Sequence, residues 1–206
     1  MELKDNLIKG QITEEMISGG WKEMVDLDVS VNRLEGPIPA NIWSMGALEV
    51  MDLHGNDFLG TIPPIESVHG NLFFLALQDN SLNMQIPETI NNLINLKHLD
   101  VSANQLSLPF PATMSQMKNM VSLYTGINGF GDHTVPNFIQ SMTNLRELSM
   151  KQNSLTGEIP TFLGDLSNLQ VLDLDFNKLK GTIPFVSQAV TGLSSSRDTT
   201  DEFCGF

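Results

Sequence analysis

Residues 72–82 read LFFLALQDNSL, and residues 96–106, one step of 24 later, read LKHLDVSANQL. The same frame stands at 48–58, LEVMDLHGNDF, and at 169–179, LQVLDLDFNKL. Its fixed point is asparagine. Asn32, Asn56, Asn80, Asn104, Asn128, Asn153 and Asn177 recur in steps of 24, 24, 24, 24, 25 and 24, and Asn6 precedes the first by 26. A constant period in the twenties is the mark of a solenoid built from stacked coils.

Counted from each Asn, large apolar residues fall at minus 8, minus 5, minus 3 and plus 2: Leu72, Leu75, Leu77 and Leu82 around Asn80, or Leu96, Leu99, Val101 and Leu106 around Asn104. The pair at minus 5 and minus 3 alternates with polar residues, the period of a short strand with one buried face. Gly and Pro follow the Asn, as GPIP at Gly36, GTIP at Gly60, GEIP at Gly157 and GTIP at Gly181. Between coils, stretches such as NIWSMGAL and FLGDLSNL carry helix-like apolar spacing. They are expected to form short helical or irregular segments on the outer, convex side.

These residues resemble the leucine-rich repeat, LxxLxLxxNxLxGxIP, in its plant-type class of 24 residues. The resemblance implies an α/β solenoid, a right-handed superhelix with short parallel strands on its concave face. It covers residues 1–184 as about eight repeats of 24–26 residues, the first partial, and leaves 185–206 as a C-terminal cap or disordered tail. One coil alone cannot bury enough apolar surface to fold, so the leucines of successive coils must share one interior. The Asn amide has two donors and an acceptor with which to satisfy backbone groups where the chain leaves the strand. The family places it inside the coil, laddered against its neighbours.

Three coils depart from the frame. Met84 and Leu108 replace the Gly. The coil of Asn128 carries one extra residue in GFGDHTVP and places Thr125 at a core strand position. That segment reads as a tolerated surface insertion or as a bulge shaped for a partner.

A net charge of −13 excludes nucleic acid as a partner and disfavours an anionic membrane surface, because both require clustered Lys and Arg. No stretch approaches 18 consecutive apolar residues, so none reads as a membrane span. Cys204 is the single cysteine, and none of the 18 asparagines begins a glycosylation sequon. The start, MELKDNLIKG, has no apolar signal core. Entry into the repeat at Leu3 and Asn6 reads as a fragment of a larger receptor-like protein, or as a weak cap over residues 1–24.

Side chains at minus 6, minus 4, minus 2 and minus 1 are expected on the concave face. Asp28, Asp52, Asp100 and Asp173 at minus 4 follow the family's LDLS pattern and read as structural or solubilising. Residues outside that pattern are the candidate ligand contacts: His54, Phe74, Gln78, His98 and Tyr124 across the middle coils, and Lys151 in a charged patch with Arg146, Glu147 and Gln152. Aromatic side chains on such a surface are typical interface anchors. His54 with Asp52, and His98 with Asp100, lack a third metal ligand, and no catalytic or phosphate-binding motif is present. His69 and His133 fall on convex or loop positions.

The expected protein is therefore a non-catalytic recognition module without cofactor or metal, binding a protein or peptide on its concave face. Resemblance to receptor-like kinases and receptor-like proteins implies a cell-surface setting. Two alternatives stand beside it: a secreted inhibitor of a polysaccharide-degrading enzyme, and an intracellular scaffold, which suits the single cysteine and the lack of sequons.

Overall fold

Successive coils align their minus 6 to minus 4 residues as seven parallel strands: Asp26–Asp28, Val50–Asp52, Phe74–Ala76, His98–Asp100, Ser122–Tyr124, Glu147–Ser149 and Val171–Asp173. This computed structural model describes residues 1–184; the cap or tail expected over 185–206, with Cys204, lies outside the described residues. Pairing joins each residue to its equivalent in the next coil, as Leu75 to Leu99 and Leu99 to Leu123. The central residue of every strand points inward, and all seven are at most 2 % exposed. With the leucines of the turns they form one continuous apolar interior from Ile12 to Leu172.

The asparagines stitch the coils together. Asn104 Nδ2 donates to the carbonyls of Val101 and Ser102 in its own coil and of Leu77 in the coil before, at 3.2, 3.0 and 3.0 Å. Its Oδ1 accepts from the Leu82 amide at 2.9 Å. Asn32, Asn56, Asn80 and Asn128 repeat this set. At Asn153 the extra residue of the preceding coil shifts the pattern, and Oδ1 takes the Asn128 amide instead, at 3.1 Å. Asn177 Oδ1 accepts from both Leu155 and Asn153.

A second asparagine column was not anticipated. Asn71, Asn95, Asn119, Asn144 and Asn168 stand nine residues before the ladder asparagines, and each Nδ2 reaches a carbonyl of the preceding coil at 2.7–3.0 Å. The signal was legible as an Asn just ahead of the minus 8 apolar residue, recurring at 24 or 25 residues.

In the first coil the outer segment is a three-residue α-helix, Glu14–Met16, running into a π turn, Ile17–Trp21, whereas later coils carry short 3-10 turns: Ala40–Ser44, Glu88–Asn92, Ala112–Gln116, Asn137–Ser141 and Thr161–Asp165. Each follows the repeat Pro, whose fixed φ sets the entry and whose carbonyl accepts the first bond of the turn, as Ile90 N to Pro87 O at 3.0 Å. The residue that closes this bond, Ile42, Ile90, Met114, Ile139 or Leu163, is buried in each turn, joined in Ala40–Ser44 by Trp43. The coil at 61–70 has no such turn; there the Pro63 carbonyl accepts from the Trp43 indole at 2.8 Å. There Asn92 Nδ2 holds the Ile65 carbonyl at 2.7 Å, and His69 Nε2 meets the Met45 carbonyl at 3.0 Å. His69 is convex as expected, but it is buried and joins two coils.

The segments after each Asn form a second parallel sheet along the side of the solenoid, which the sequence reading left unassigned. It runs through Lys9–Gly10, Arg33–Pro37, Asp57–Gly60, Ser81–Met84 and Gln105–Leu106. The inserted residue near Gly131 interrupts it. Beyond a single bridge from Ser107 to Gly129, strand pairing among the described residues resumes between Thr156–Glu158 and Lys178–Lys180.

Candidate ligand-binding face

The seven-stranded sheet offers its outward residues in parallel columns. Phe74 and His98 are register partners, so their rings lie side by side, with centroids 4.3 Å apart and planes within 4°. Tyr124 belongs to the neighbouring column, opposite Asp100, yet its ring leans back to within 5.4 Å of His98 at 54°. Three of the expected contact residues therefore form one aromatic tier across three coils. All three are half-buried.

The Tyr124 hydroxyl donates to the Glu147 carboxylate of the next strand. The sequence reading had placed Glu147 in a separate charged patch. The structure instead attaches it to the aromatic tier, because adjacent strands bring Glu147 opposite Ser122.

His54, Gln78 and Lys151 occupy the same face nearer the Asn turn, without ring contact to the tier. His54 Nδ1 lies 2.6 Å from Asp52 Oδ1, which also accepts the His54 amide at 3.1 Å. Gln78 Oε1 is buried and has no donor. The Lys151 stem lies over Gly126, where an added Cβ would stand 2.9 Å from Lys151 Cγ.

The minus 4 aspartates are tied to their own strands. Asp28, Asp52, Asp100 and Asp173 each accept the amide two residues on, and Ser30 and Ser102 add hydroxyl bonds of 2.6 Å. That geometry is the structural role expected of them. Both bonds to Asp100 converge on Oδ1.

Burial shapes the charge states here. Desolvation pushes the Asp100 carboxyl above the usual range, against the hydrogen bonds from Ser102. Desolvation also pulls the His98 imidazole below its ordinary value, although Asp100, Glu147 and Asp52 pull the other way. The imidazole stacked on Phe74 is therefore neutral at neutral pH. Among the described residues no group of three or more His, Cys, Asp or Glu is placed to hold a metal ion.

One edge of the sheet carries a shallow depression lined by Lys97, Asn119, Val121, Asn144, Arg146 and Asn168. Arg146, directly before Glu147 in the chain, lines this depression. Among the described residues no helix is long and apolar enough to cross a membrane.

Comparison with known proteins gives this face its context. A family model described as a leucine-rich repeat region matches residues 30–189. A probable LRR receptor-like serine/threonine-protein kinase, RPK1 of Arabidopsis thaliana, is 40 % identical over 52 residues, 25 % of this chain and 10 % of its own length. The LRR ectodomain of the Arabidopsis thaliana membrane receptor kinase GASSHO1/SCHENGEN3, in complex with CASPARIAN STRIP INTEGRITY FACTOR 2, superposes with a TM-score of 0.82 at 30 % identity. That match covers 89 % of this chain and 22 % of the receptor chain. The Arabidopsis receptor kinase HAESA, solved with the peptide hormone IDA and the co-receptor SERK1, gives 0.80 at 29 % identity, covering 89 % and 30 %. This chain spans a tenth or less of the length of the curated relatives it matches.

Proposed function

The chain belongs to the leucine-rich repeat family, and from that premise we propose that it is a non-catalytic recognition module that binds a protein or peptide ligand on its concave face. We further propose that it serves in a receptor-like protein at the cell surface. The observation that carries this reading is the contiguous tier of Phe74, His98 and Tyr124. Rings with few rotatable bonds lose little entropy on binding, which suits them to anchor a partner. His54, Gln78 and Lys151 would add polar contacts along the adjoining columns.

Similarity to a receptor kinase solved with a peptide hormone supports the choice of ligand class. It does not reach the reaction of a kinase domain, since the likeness is to ectodomains. Short random-sequence peptides should be selected on the full chain, and their affinities measured on the wild type and on Phe74→Ala/Tyr124→Ala. The double substitution is expected to weaken binding by more than about 1 kcal/mol, roughly fivefold. Unchanged affinity for every selected peptide would remove this face as the site.

A further inference from the structure

The outward columns of the sheet are strongly one-signed around the aromatic tier. Asp28, Asp52, Asp79, Asp100, Glu147 and Asp173 lie there, against Lys151 on the same columns and Lys97 and Arg146 at the edge of the sheet. Among the described residues the single Lys or Arg ion pair is Lys178 with Asp132, on the side of the solenoid rather than on this face. Among the described residues Asp28, Asp52, Asp79, Asp100, Glu147 and Asp173 form no ion pair with a Lys or Arg, and the His54 ring stands beside Asp52. Like charges held on one concave surface raise its negative potential and attract cations.

The tier itself limits what can sit on it. Phe74 and His98 stack face to face, so they offer a ligand their ring edges and not the faces between them. A long aliphatic stem fits such edges while its charged head reaches the carboxylates alongside. A cationic head beside the half-buried Asp100 carboxyl would offset the desolvation that raises its pKa.

We propose that the ligand of this face is an extended segment of net positive charge, whose Lys or Arg stem lies across Phe74, His98 and Tyr124 and whose head pairs with Asp52 and Asp100. This rests on the concave-face reading above and adds the chemistry of the partner.

Three synthetic peptide mixtures would test it, alike in apolar and aromatic content and carrying Lys/Arg, Gln or Glu at the same positions. Their affinities are measured on the full chain, on Phe74→Ala/Tyr124→Ala, on Asp52→Asn/Asp100→Asn, and on Glu66→Gln/Glu88→Gln. The last pair removes the same charge from exposed convex residues. The Lys/Arg mixture is expected to bind at least about tenfold more tightly than the Gln mixture, with an affinity that falls as salt rises. The Asp pair should lose most of that preference and the convex pair should keep it. Should Asp52→Asn/Asp100→Asn unfold, the single substitutions Asp52→Asn and Asp100→Asn replace it, each with a partial loss of that preference.

Equal losses from the concave and convex pairs would overturn the proposal, reducing it to diffuse attraction. Tight binding of the Gln or Glu mixture that still needs Phe74 and Tyr124 would also overturn it, while leaving the concave site standing. If no mixture depends on those two rings, the concave reading itself fails, and the proposal with it.

Discussion

Asn104 makes four hydrogen bonds with one amide, and no other side chain can supply both the donors and the acceptor at that place. Removing it leaves the Leu82 amide without its acceptor, at a cost of about 1–3 kcal/mol, and takes one of two donors from each of the Leu77, Val101 and Ser102 carbonyls. Asn104→Ala should therefore lower stability by several times that of Asn119→Ala, whose bond to the Ile94 carbonyl is exposed. Urea titration of both variants checks this; equal losses would mean that the inner ladder is not what ties the coils.

His98 gives a second residue-scale test. Its folded pKa lies below its unfolded one, so the unfolded chain takes up the proton first. Its contribution to stability is then lost as pH falls through the ordinary imidazole value, about 6.5. Asp100 acts in the opposite sense, regaining stability as pH falls through its raised value. Relative to His98→Gln, the wild type should lose stability between roughly pH 7 and pH 5. A constant difference across that range would show that His98 is not desolvated. Phe74, His98 and Tyr124 could be picked out from the sequence because they break the repeat consensus. Their stacking, the Tyr124 bond to Glu147 and the charge shifts could not, since they depend on which neighbours the register supplies.

At the scale of the element, strands and turns follow directly from where apolar residues and Pro fall in the frame. The side sheet did not, because its residues lack a clean alternation and its pairing depends on Gly. Gly157 holds φ at 81°, with Thr134 Cγ2 only 3.1 Å from where a Cβ would be. In the equivalent place Met84 adopts φ 66° at the expense of left-handed backbone strain, typically about 1–2 kcal/mol for a side-chain-bearing residue. Gly157→Ala is accordingly expected to destabilise by about that amount, and Met84→Gly to leave stability unchanged or raise it by less than about 1 kcal/mol, since Gly also frees the unfolded chain. Thermal melts of the two variants distinguish them; a stabilising Gly157→Ala would refute the strain argument. The 3-10 character of the convex turns was likewise unreadable. It follows from a repeat that leaves only five residues between the Pro and the next turn.

Across the whole molecule, the period fixes the architecture because each coil buries its leucines only against its neighbours. The same repetition leaves function open, since the frame spends most of its residues on the interior and the ladders. What distinguishes this member is a handful of outward side chains, and those place an aromatic tier within an acidic surface. The irregular coil of Asn128 supplies Tyr124 to that tier and interrupts the side sheet without disturbing the strand Ser122–Tyr124. Coverage of only a small part of the relatives' length means that the rest of the receptor-like reading must come from binding experiments.

The most direct of these is photo-cross-linking of a selected peptide to the full chain, with the attached residues mapped by mass spectrometry. Attachment within 50–54, 74–78, 98–102 and 122–126 is the expected result. Attachment to the convex turns or the side sheet, with those strands untouched, would contradict recognition on the concave face.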